Sequence, residues 1–348
     1  MTIHIERDVM MHKNQFVTYW LFMMSFLIVM MVVVGGLTRL TDSGLSITEW
    51  APIAGAIPPL SLEDWMIAFE QYKQIAEYQY QNAGMSLEEF KFIYWWEWGH
   101  RQLGRVIGIA FFIPLVVFAA LGYIRGRWLL YLVCLLFLGG FQGFLGWFMV
   151  ESGVVETRLD VSAYRLALHL GMAVILLGLV YHAARSRIVK NPVRGVKAKS
   201  LLFLVLLYLQ IISGAFVAGT DAGMTYNTWP LMDGSIIPEG VYQDPSYLRS
   251  HFEDLMTVQF NHRWLAYIVL LFGFWLFWNM KKVLPLQAKV FLTILCLQIV
   301  LGIITLITVA AYQHIWLAAL HQLVGIALFL VTVDTVARSH PLFFRIAR

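Results

Sequence analysis

The sequence predicts an all-α integral membrane protein in which eight transmembrane helices form two repeated four-helix halves. Of its 348 residues, 59% are hydrophobic and only 13% are charged, whereas about 25% is typical of a soluble domain. Apolar runs of about 20 residues can cross a bilayer as helices, which satisfy their own backbone hydrogen bonds. Eight such runs occur, at about residues 16–37, 100–124, 128–150, 162–184, 200–219, 258–280, 287–310 and 315–337.

The distribution of basic residues predicts the orientation of these helices. Lys and Arg concentrate at the termini and in the loops after the second, fourth and sixth spans, with six of them between Arg185 and Lys199. Cytoplasmic loops carry such an excess, so both termini are expected in the cytoplasm. The net charge of +4 then reflects topology and does not indicate nucleic-acid binding. The first fifteen residues contain acids and lack a signal-peptide pattern. A bacterial inner membrane is therefore expected, with a trimmed mitochondrial protein as the alternative.

An internal repeat divides the chain into residues 1–186 and 187–348. Five groups of residues recur in the same order, which chance does not plausibly produce. The matched groups are Thr41-Asp42 with Thr220-Asp221, Trp50 and Pro52 with Trp229 and Pro230, His100-Arg101 with His262-Arg263, Gln142 and Gly146 with Gln298 and Gly302, and His169 with His321. Because each half has an even number of spans, the halves have parallel topology and are expected to be related by a twofold axis along the membrane normal.

The loops between the spans differ in length on the outer side. The first outer loop, residues 38–98, has the pattern of an amphipathic helix around Leu62–Tyr78 and of a second helix near Ser86–Tyr94. Ser61 precedes Asp64 at the spacing of a capping box. The corresponding loop of the second half, residues 220–257, is shorter and predicts less helix.

Four of the ten histidines lie at matched positions in the predicted membrane helices: His100, His169, His262 and His321. An ionisable residue in a membrane helix is costly, which indicates a functional site. All four are expected within about two turns of the outer helix ends. Facing histidines of a four-helix bundle can bind one metal or haem, and neutral imidazole is the usual axial ligand of haem iron. Each pair is therefore expected to ligate one haem. Polar packing is the alternative, and zinc is a weaker one because no Cys or carboxylate cluster accompanies a pair.

The remaining histidines and the cysteines are assigned no chemistry. His314 lies two turns before His321 and is expected to be a packing residue or to lie at the mouth of the site, with a role at the haem edge as the alternative. Cys134 and Cys296 lie inside apolar spans, so they are expected to be packed apolar residues without a disulfide. The other histidines are expected to be solvated or interfacial: His4, His12, His182, His251 and His340.

Three arginines at or near the outer ends of the histidine-bearing helices support the haem interpretation. Arg101, Arg105 and Arg263 are candidates for pairing with haem propionates, because a guanidinium binds carboxylates in bidentate geometry. The alternative is that each arginine extends its charged end to the membrane interface.

One difference between the halves predicts where chemistry takes place. The chain reads Glu97-Trp98-Gly99-His100 in the first half and Gln259-Phe260-Asn261-His262 in the second. Residues three apart share a helix face, so Glu97 is expected beside His100. There it could accept a proton or stabilise developing positive charge, although an ion pair with Arg101 is the alternative. The first half is therefore expected to be catalytic, and the second to hold a permanent electron-transfer haem.

These residues resemble the haem A synthase family over nearly the whole chain, and specifically its mitochondrial and proteobacterial branch. Other branches carry a cysteine pair in the first outer loop, which this chain lacks. The motifs that carry the resemblance are Gly35-Gly36-Leu37-Thr38-Arg39-Leu40-Thr41-Asp42-Ser43-Gly44-Leu45-Ser46, Ile57-Pro58-Pro59, Glu88-Glu89-Phe90-Lys91-Phe92-Ile93-Tyr94, Glu97-Trp98-Gly99-His100-Arg101 and Gly104-Arg105-Val106-Ile107-Gly108.

The resemblance implies an oxidoreductase that converts the C8 methyl group of haem O to a formyl group through a hydroxymethyl intermediate, giving haem A for terminal oxidases. It implies that His262 and His321 ligate a resident haem b, that His100 and His169 hold the substrate haem, and that Glu97 is the catalytic carboxylate. The implied partners are haem O synthase, cytochrome oxidase assembly factors, an electron donor or acceptor, membrane lipid and a second copy of the chain.

Two other classes of function remain open from the residues alone. A di-haem b electron carrier, such as a quinol-linked cytochrome, would use both histidine pairs without modifying a haem. A transporter built from parallel repeats would bind no haem at all.

Overall fold

The computed structural model of the protein describes residues 2–155, 159–243, 247–309 and 314–342, with the side chains of these ranges except 2–14, Tyr247 and His314. Within these ranges the chain is almost entirely helical and has no extended β-strand. The α-helices are α1 (Thr2–Leu40), α2 (Leu62–Tyr72), α3 (Leu87–Ala120), α4 (Gly126–Glu151), α5 (Ala163–Ser186), α6 (Lys197–Thr220), α7 (Ala222–Thr225), α8 (Tyr247–Glu253), α9 (Leu255–Met280), α10 (Pro285–Thr308) and α11 (His314–Ser339).

Eight of the described helices are long and apolar enough to cross a membrane, which confirms the predicted fold class. They are α1 (from Gln15), α3, α4, α5, α6, α9, α10 and α11. Many of their large apolar side chains are exposed on the protein surface, as expected where lipid is the solvent. The protein is therefore a multi-pass membrane protein.

The eight helices pack in two groups of four. Helices α1, α3, α4 and α5 contact one another in that order and α5 closes back on α1; we call this the N-terminal ring. Helices α6, α9, α10 and α11 do the same and form the C-terminal ring. The rings meet where α5 packs on α6 and α11, and α11 on α1, around a buried core that includes Leu177, Phe203 and Phe329. The twofold relation between the halves stays a prediction.

A charged cluster joins the outer ends of the two rings. Arg39, near the end of α1, pairs with Asp42 at 2.9 Å, Asp160 at 3.4 Å and Asp221 at 3.3 Å, and its Nη2 donates to the carbonyl oxygen of Ala218. Asp42 and Asp221 are matched in the repeat, and both have left-handed backbone, with φ of 47° and 54°. Burial raises the pKa of both carboxyls, and Arg39 opposes this rise.

Helix α3 differs from the sequence prediction. The prediction of a separate helix near Ser86–Tyr94 is wrong, because α3 runs without interruption from Leu87 to Ala120. Ser86 and Glu89 form a capping box that starts the helix there, and the proline inside the helix, Pro114, lies beyond His100. His100 is therefore the fourteenth residue of its helix, further from the beginning than the predicted two turns. His169, His262 and His321 are the seventh or eighth residues of theirs, as predicted.

The first outer loop folds around its own small core. The predicted capping box of Ser61 and Asp64 is confirmed at the start of α2. The helix ends at Tyr72 and not near Tyr78, and a π-helical turn, Glu77–Gln81, follows it. Trp65 and Phe69 of α2 pack on the outer part of α3. The shorter loop of the second half contains only α7 and α8 among its described residues.

The two cysteines are free, as predicted, but they are exposed on the helix surface and not packed inside the protein. That part of the prediction is wrong because lipid is as apolar as a protein core, so a small apolar side chain can face either. The predictions for the side chains of His4, His12 and His314 lie outside the described residues.

Candidate functional site: two pairs of histidines

The structure brings the four matched histidines together as two pairs. The imidazole of His100 on α3 lies close enough to the imidazole of His169 on α5 for the two side chains to interact electrostatically. His262 of α9 stands in the same relation to His321 of α11. Each pair thus belongs to one ring of helices, where two imidazoles from facing helices could bind one haem.

Each imidazole packs against a glycine of a neighbouring helix. A Cβ atom on Gly35 or Gly146 would lie 2.9 Å from the ring of His100 or His169, respectively. On Gly214 or Gly302 it would lie 3.2 Å from the ring of His262 or 2.8 Å from that of His321. Real Cβ atoms essentially never make contacts below 3.0 Å, and the contact of 3.2 Å at Gly214 would require the His262 ring to shift slightly. Glycine at these four positions therefore leaves the imidazoles where they are.

Glutamine amides contact three of the four imidazoles. Gln142 Nε2 lies 3.1 Å from His169 Nδ1, and Gln210 Nε2 lies 3.1 Å from His262 Nδ1. Gln298 Nε2 lies 3.3 Å from His321 Nε2. His262 Nδ1 also lies 3.3 Å from Ser213 Oγ.

These donor sets fit haem iron. Two neutral imidazoles could hold one haem iron between them, and the glycines let each imidazole lie close to the neighbouring helix. In the part of the chain that the structure describes, no three His, Cys, Asp or Glu side chains come together as a cluster that could hold a metal ion. The zinc alternative therefore finds no third protein ligand there.

Glu97 is buried, with 2% of its surface exposed, and both of its oxygens are bound. Oε2 accepts hydrogen bonds from Ser46 Oγ and the Ile47 amide, each at 2.7 Å. Oε1 accepts from Arg101 Nη2 at 2.6 Å and from Nε at 3.0 Å. The ion pair that the sequence left as an alternative is thus formed, and it fixes the carboxylate one helical turn before His100. Sequence reasoning missed Ser46 and Ile47, although Ser46 ends the first motif of the family resemblance.

The position of Glu97 is occupied by a neutral residue in the C-terminal ring. Gln259 is 4% exposed, and its Oε1 has no hydrogen-bond partner within the described ranges. Glu97 and Gln259 therefore differ in charge, as the sequence indicates, and also in the hydrogen bonds that their side-chain oxygens accept.

The three candidate propionate arginines hold the outer loops. Arg101 donates to the carbonyl oxygens of Ile47 and Glu49, at 2.6 and 2.9 Å. Arg105 donates to those of Ala51 and Pro52, and Arg263 to those of Thr228 and Pro230. The matched Trp and Pro residues beside these carbonyls were the sequence signal for this contact. Propionate binding by these arginines stays a prediction.

The fold and site define a class, that of multi-pass helical membrane proteins with two pairs of histidines on their membrane helices. Residues 18–333 match the sequence model of a family described as "Cytochrome oxidase assembly protein". A "Heme A synthase" of Maricaulis maris is 47% identical over 328 residues, covering 92% of this chain and 95% of that protein. Those of Dinoroseobacter shibae and Parvibaculum lavamentivorans are 47% and 45% identical, covering 93% and 92% of this chain and 86% and 94% of those proteins. The chain belongs to the heme A synthase family.

Proposed function

We propose that this protein is a haem A synthase, which oxidises the C8 methyl group of haem O to a formyl group through a hydroxymethyl intermediate. The observation that carries the proposal is the presence of two separate imidazole pairs in a chain of this family, of which only the first has a buried carboxylate, Glu97, one helical turn before a histidine. Converting a methyl to a formyl group adds one oxygen atom and is a four-electron oxidation of that carbon, so the reaction needs water or dioxygen as the oxygen source and a redox partner that exchanges electrons with the protein.

The two pairs have different roles in this proposal. His100 and His169 hold the substrate haem O, and His262 and His321 hold a resident haem b. The resident haem supplies electron transfer when it is bound. The protein positions the imidazoles through the glycines behind them and the glutamines beside them, so that the ligands are in place before a haem arrives.

Glu97 is the proposed catalytic carboxylate. Its bonds to Ser46, Ile47 and Arg101 hold it in one place, and a carboxylate that does not need to reorient can stabilise positive charge as it develops. It can also accept a proton released from the substrate. Arg101, Arg105 and Arg263 are proposed to bind propionates in addition to holding the outer loops, since each follows a histidine on the same helix and its guanidinium is bound to the outer loop of its own half.

The proposed location is the bacterial inner membrane, with both termini in the cytoplasm and the histidine pairs towards the outer side. The positive charge between Arg185 and Lys199 supports this orientation. The proposed partners are haem O synthase, which makes the substrate, cytochrome oxidase assembly factors, which receive the product, a redox partner and a second copy of the chain.

Identification of the bound haems tests the proposal. The protein is purified from cells that make haem O, and its haems are extracted and identified by mass. Haem b together with haem O, its hydroxylated form or haem A is the expected result. Haem b alone would overturn the proposal in favour of a di-haem electron carrier, and a protein without haem would favour a transporter.

A further inference from the structure

A cavity with a volume of about 370 Å³ lies at the end of the molecule opposite the histidine pairs. Three cations line it: Arg185 at the end of α5, Lys190 in the following loop and Arg338 at the end of α11. Arg185 follows His169 by 16 positions and Arg338 follows His321 by 17, which corresponds to about 25 Å along a helix. The cavity is therefore separate from the site that the proposed function uses.

One buried aspartate holds both arginines of the cavity. Asp334 of α11, which is only 7% exposed, accepts a hydrogen bond from Arg185 Nε and another, at 2.9 Å, from Arg338 Nε. The amide of Gln287, on α10, donates to the same carboxylate. Because Arg185 belongs to the N-terminal ring and Arg338 to the C-terminal ring, this contact joins the two rings and fixes both guanidiniums at the edge of the cavity.

The cations of the cavity keep donors that the protein itself does not use. Among the described residues, the Nη1 and Nη2 atoms of Arg185 and Arg338 find no acceptor, since each guanidinium is bound only through Nε. Lys190 is exposed and forms no ion pair with a described residue. The three cations and Asp334 together carry a net charge of +2. Guanidinium and ammonium groups with free donors bind phosphate oxygens, so the cavity is suited to a phosphate group.

The other side of the cavity is apolar and lies near the membrane surface. Ile188, Val193 and Leu284 line it beside the cations, and Ile188 is 46% exposed. At the end of α9, in the same part of the molecule, Lys281 lies 3.1 Å from the ring centroid of the exposed Trp278. Tryptophan concentrates where membrane helices cross the interface between lipid and water. A phospholipid would contact both sides of the cavity, whereas a free phosphate would contact only the cations.

We propose that this cavity binds the phosphate group of one anionic phospholipid, whose acyl chains lie beside Ile188 and Leu284. Basic cavities between membrane helices are suited to such headgroups. The lipid bridges the two rings, because Arg185 and Arg338 come from different rings and both face its phosphate. The alternative is that these cations only set the orientation of the membrane helices. Binding of the lipid requires neither a haem nor the proposed function.

Lipid titrations of the full-length protein, purified in detergent, test the proposal. Native mass spectrometry measures how many molecules of phosphatidylglycerol and of phosphatidylcholine bind, and how tightly. One phosphatidylglycerol should bind about tenfold or more tightly than phosphatidylcholine, which has the same phosphate but no net charge. Phosphatidylglycerol should also raise the unfolding temperature, because it binds the folded protein and joins the two rings.

A variant of the cavity and a matched control locate the binding site. Lys190→Gln removes one cation without disturbing the contacts of Asp334, so it should weaken the binding of phosphatidylglycerol about fivefold. Arg127→Gln removes the same charge from an exposed position at the beginning of α4. Arg127 lies at the same end of the membrane helices but does not line the cavity, so this variant should keep the affinity of the unsubstituted protein.

Three results would overturn the proposal. Equal affinities for the two lipids would mean that the cavity does not select an anionic headgroup. An unchanged affinity in Lys190→Gln, or an equal loss in Arg127→Gln, would mean that the positive surface as a whole attracts the lipid. Inorganic phosphate at the same concentration should neither displace phosphatidylglycerol nor raise the unfolding temperature. If it does both, the cavity binds a soluble anion and the assignment to a lipid is wrong.

Discussion

The N-terminal and C-terminal rings hold their histidines in the same way but surround them with different charges. In both rings each imidazole lies against a glycine of a neighbouring helix. One turn before the first histidine, however, the N-terminal ring has Glu97 bound to Arg101, and the C-terminal ring has the neutral Gln259. The two rings therefore share the glycine contacts, whereas at this position only the N-terminal ring carries a charge. This is the difference expected if the proposed chemistry takes place in the N-terminal ring.

The outer loops of the two rings also differ in the contacts that they make with this position. The loop of the N-terminal ring has its own aromatic core and delivers Ser46 and Ile47 to Glu97. In the loop of the C-terminal ring, Thr228 and Pro230 accept from Arg263, and no residue in the described ranges bonds to the side chain of Gln259. A longer loop at the N-terminal ring is thus associated with fixing a charged group beside a histidine.

The largest expected effect separates the two pairs. His262→Ala should abolish retention of haem b, because a ligand of the resident haem is lost. His100→Ala should leave haem b in place and abolish retention of haem O and product formation. Haem stoichiometry by mass and the optical spectrum of each purified variant measure this. Equal loss of both haems in both variants would mean that the two rings do not act as separate sites.

The next effect concerns the carboxylate. Glu97→Gln should reduce the rate of haem A formation by about 10²–10⁴-fold, the usual contribution of a proton-transferring or charge-stabilising group, while haem b content stays the same. The matched control is Gln259→Leu, which should leave the rate within about threefold. A normal rate in Glu97→Gln would contradict the catalytic assignment. Loss of folded protein in that variant would indicate that Glu97 mainly anchors the loop.

A smaller effect tests the feature that the rings share. Gly302→Ala and Gly146→Ala each place a methyl group less than 3 Å from an imidazole, and such overpacking costs about 1–3 kcal/mol. Each variant should lower the haem affinity of the ring of helices that contains the substitution and leave the affinity of the other ring unchanged. Titration of the protein with haem measures both affinities. Gly143→Ala is the control on α4, because nothing lies within 4 Å of its added Cβ. Normal haem binding in both test variants would show that the glycine contacts are dispensable.

The smallest effect concerns the outer loop of the N-terminal ring. Burial raises the pKa of Glu77 from an ordinary value of 4.5 to about 8, although a hydrogen bond from Tyr72 opposes the rise. Between these two pH values the folded protein keeps a proton that the unfolded chain has released. The free energy of unfolding should therefore fall as the pH rises from about 4.5 to 8.

Thermal unfolding between pH 5 and pH 9 checks this expectation. The unfolding temperature of Glu77→Gln should decrease less across this pH range than that of the unsubstituted protein, because the glutamine does not titrate. Glu63→Gln, at an exposed position of α2, should unfold with the same pH dependence as the unsubstituted protein. Identical pH profiles for Glu77→Gln and the unsubstituted protein would contradict the raised pKa.

Much of the candidate site could be predicted from the sequence because its signals are local or repeated. The histidines stand in apolar helices, and their order repeats between the halves, so the two pairs could be assigned without coordinates. The contrast between Glu97 and Gln259 is likewise visible from residues three positions before a histidine. The start of α3 was misplaced because an amphipathic segment that continues into a membrane helix has the same local pattern as a separate surface helix.

Hydropathy and repeat order are properties of the chain, so the sequence alone predicts the eight-helix membrane fold and the pairing of His100 with His169 and of His262 with His321. The tertiary structure alone decided the surroundings of those histidines. Ser46 and Ile47 reach Glu97 across about 50 positions of sequence, and the glutamines reach histidines on other helices. Hydrogen bonds between such distant residues depend on how the helices pack, which no local pattern encodes.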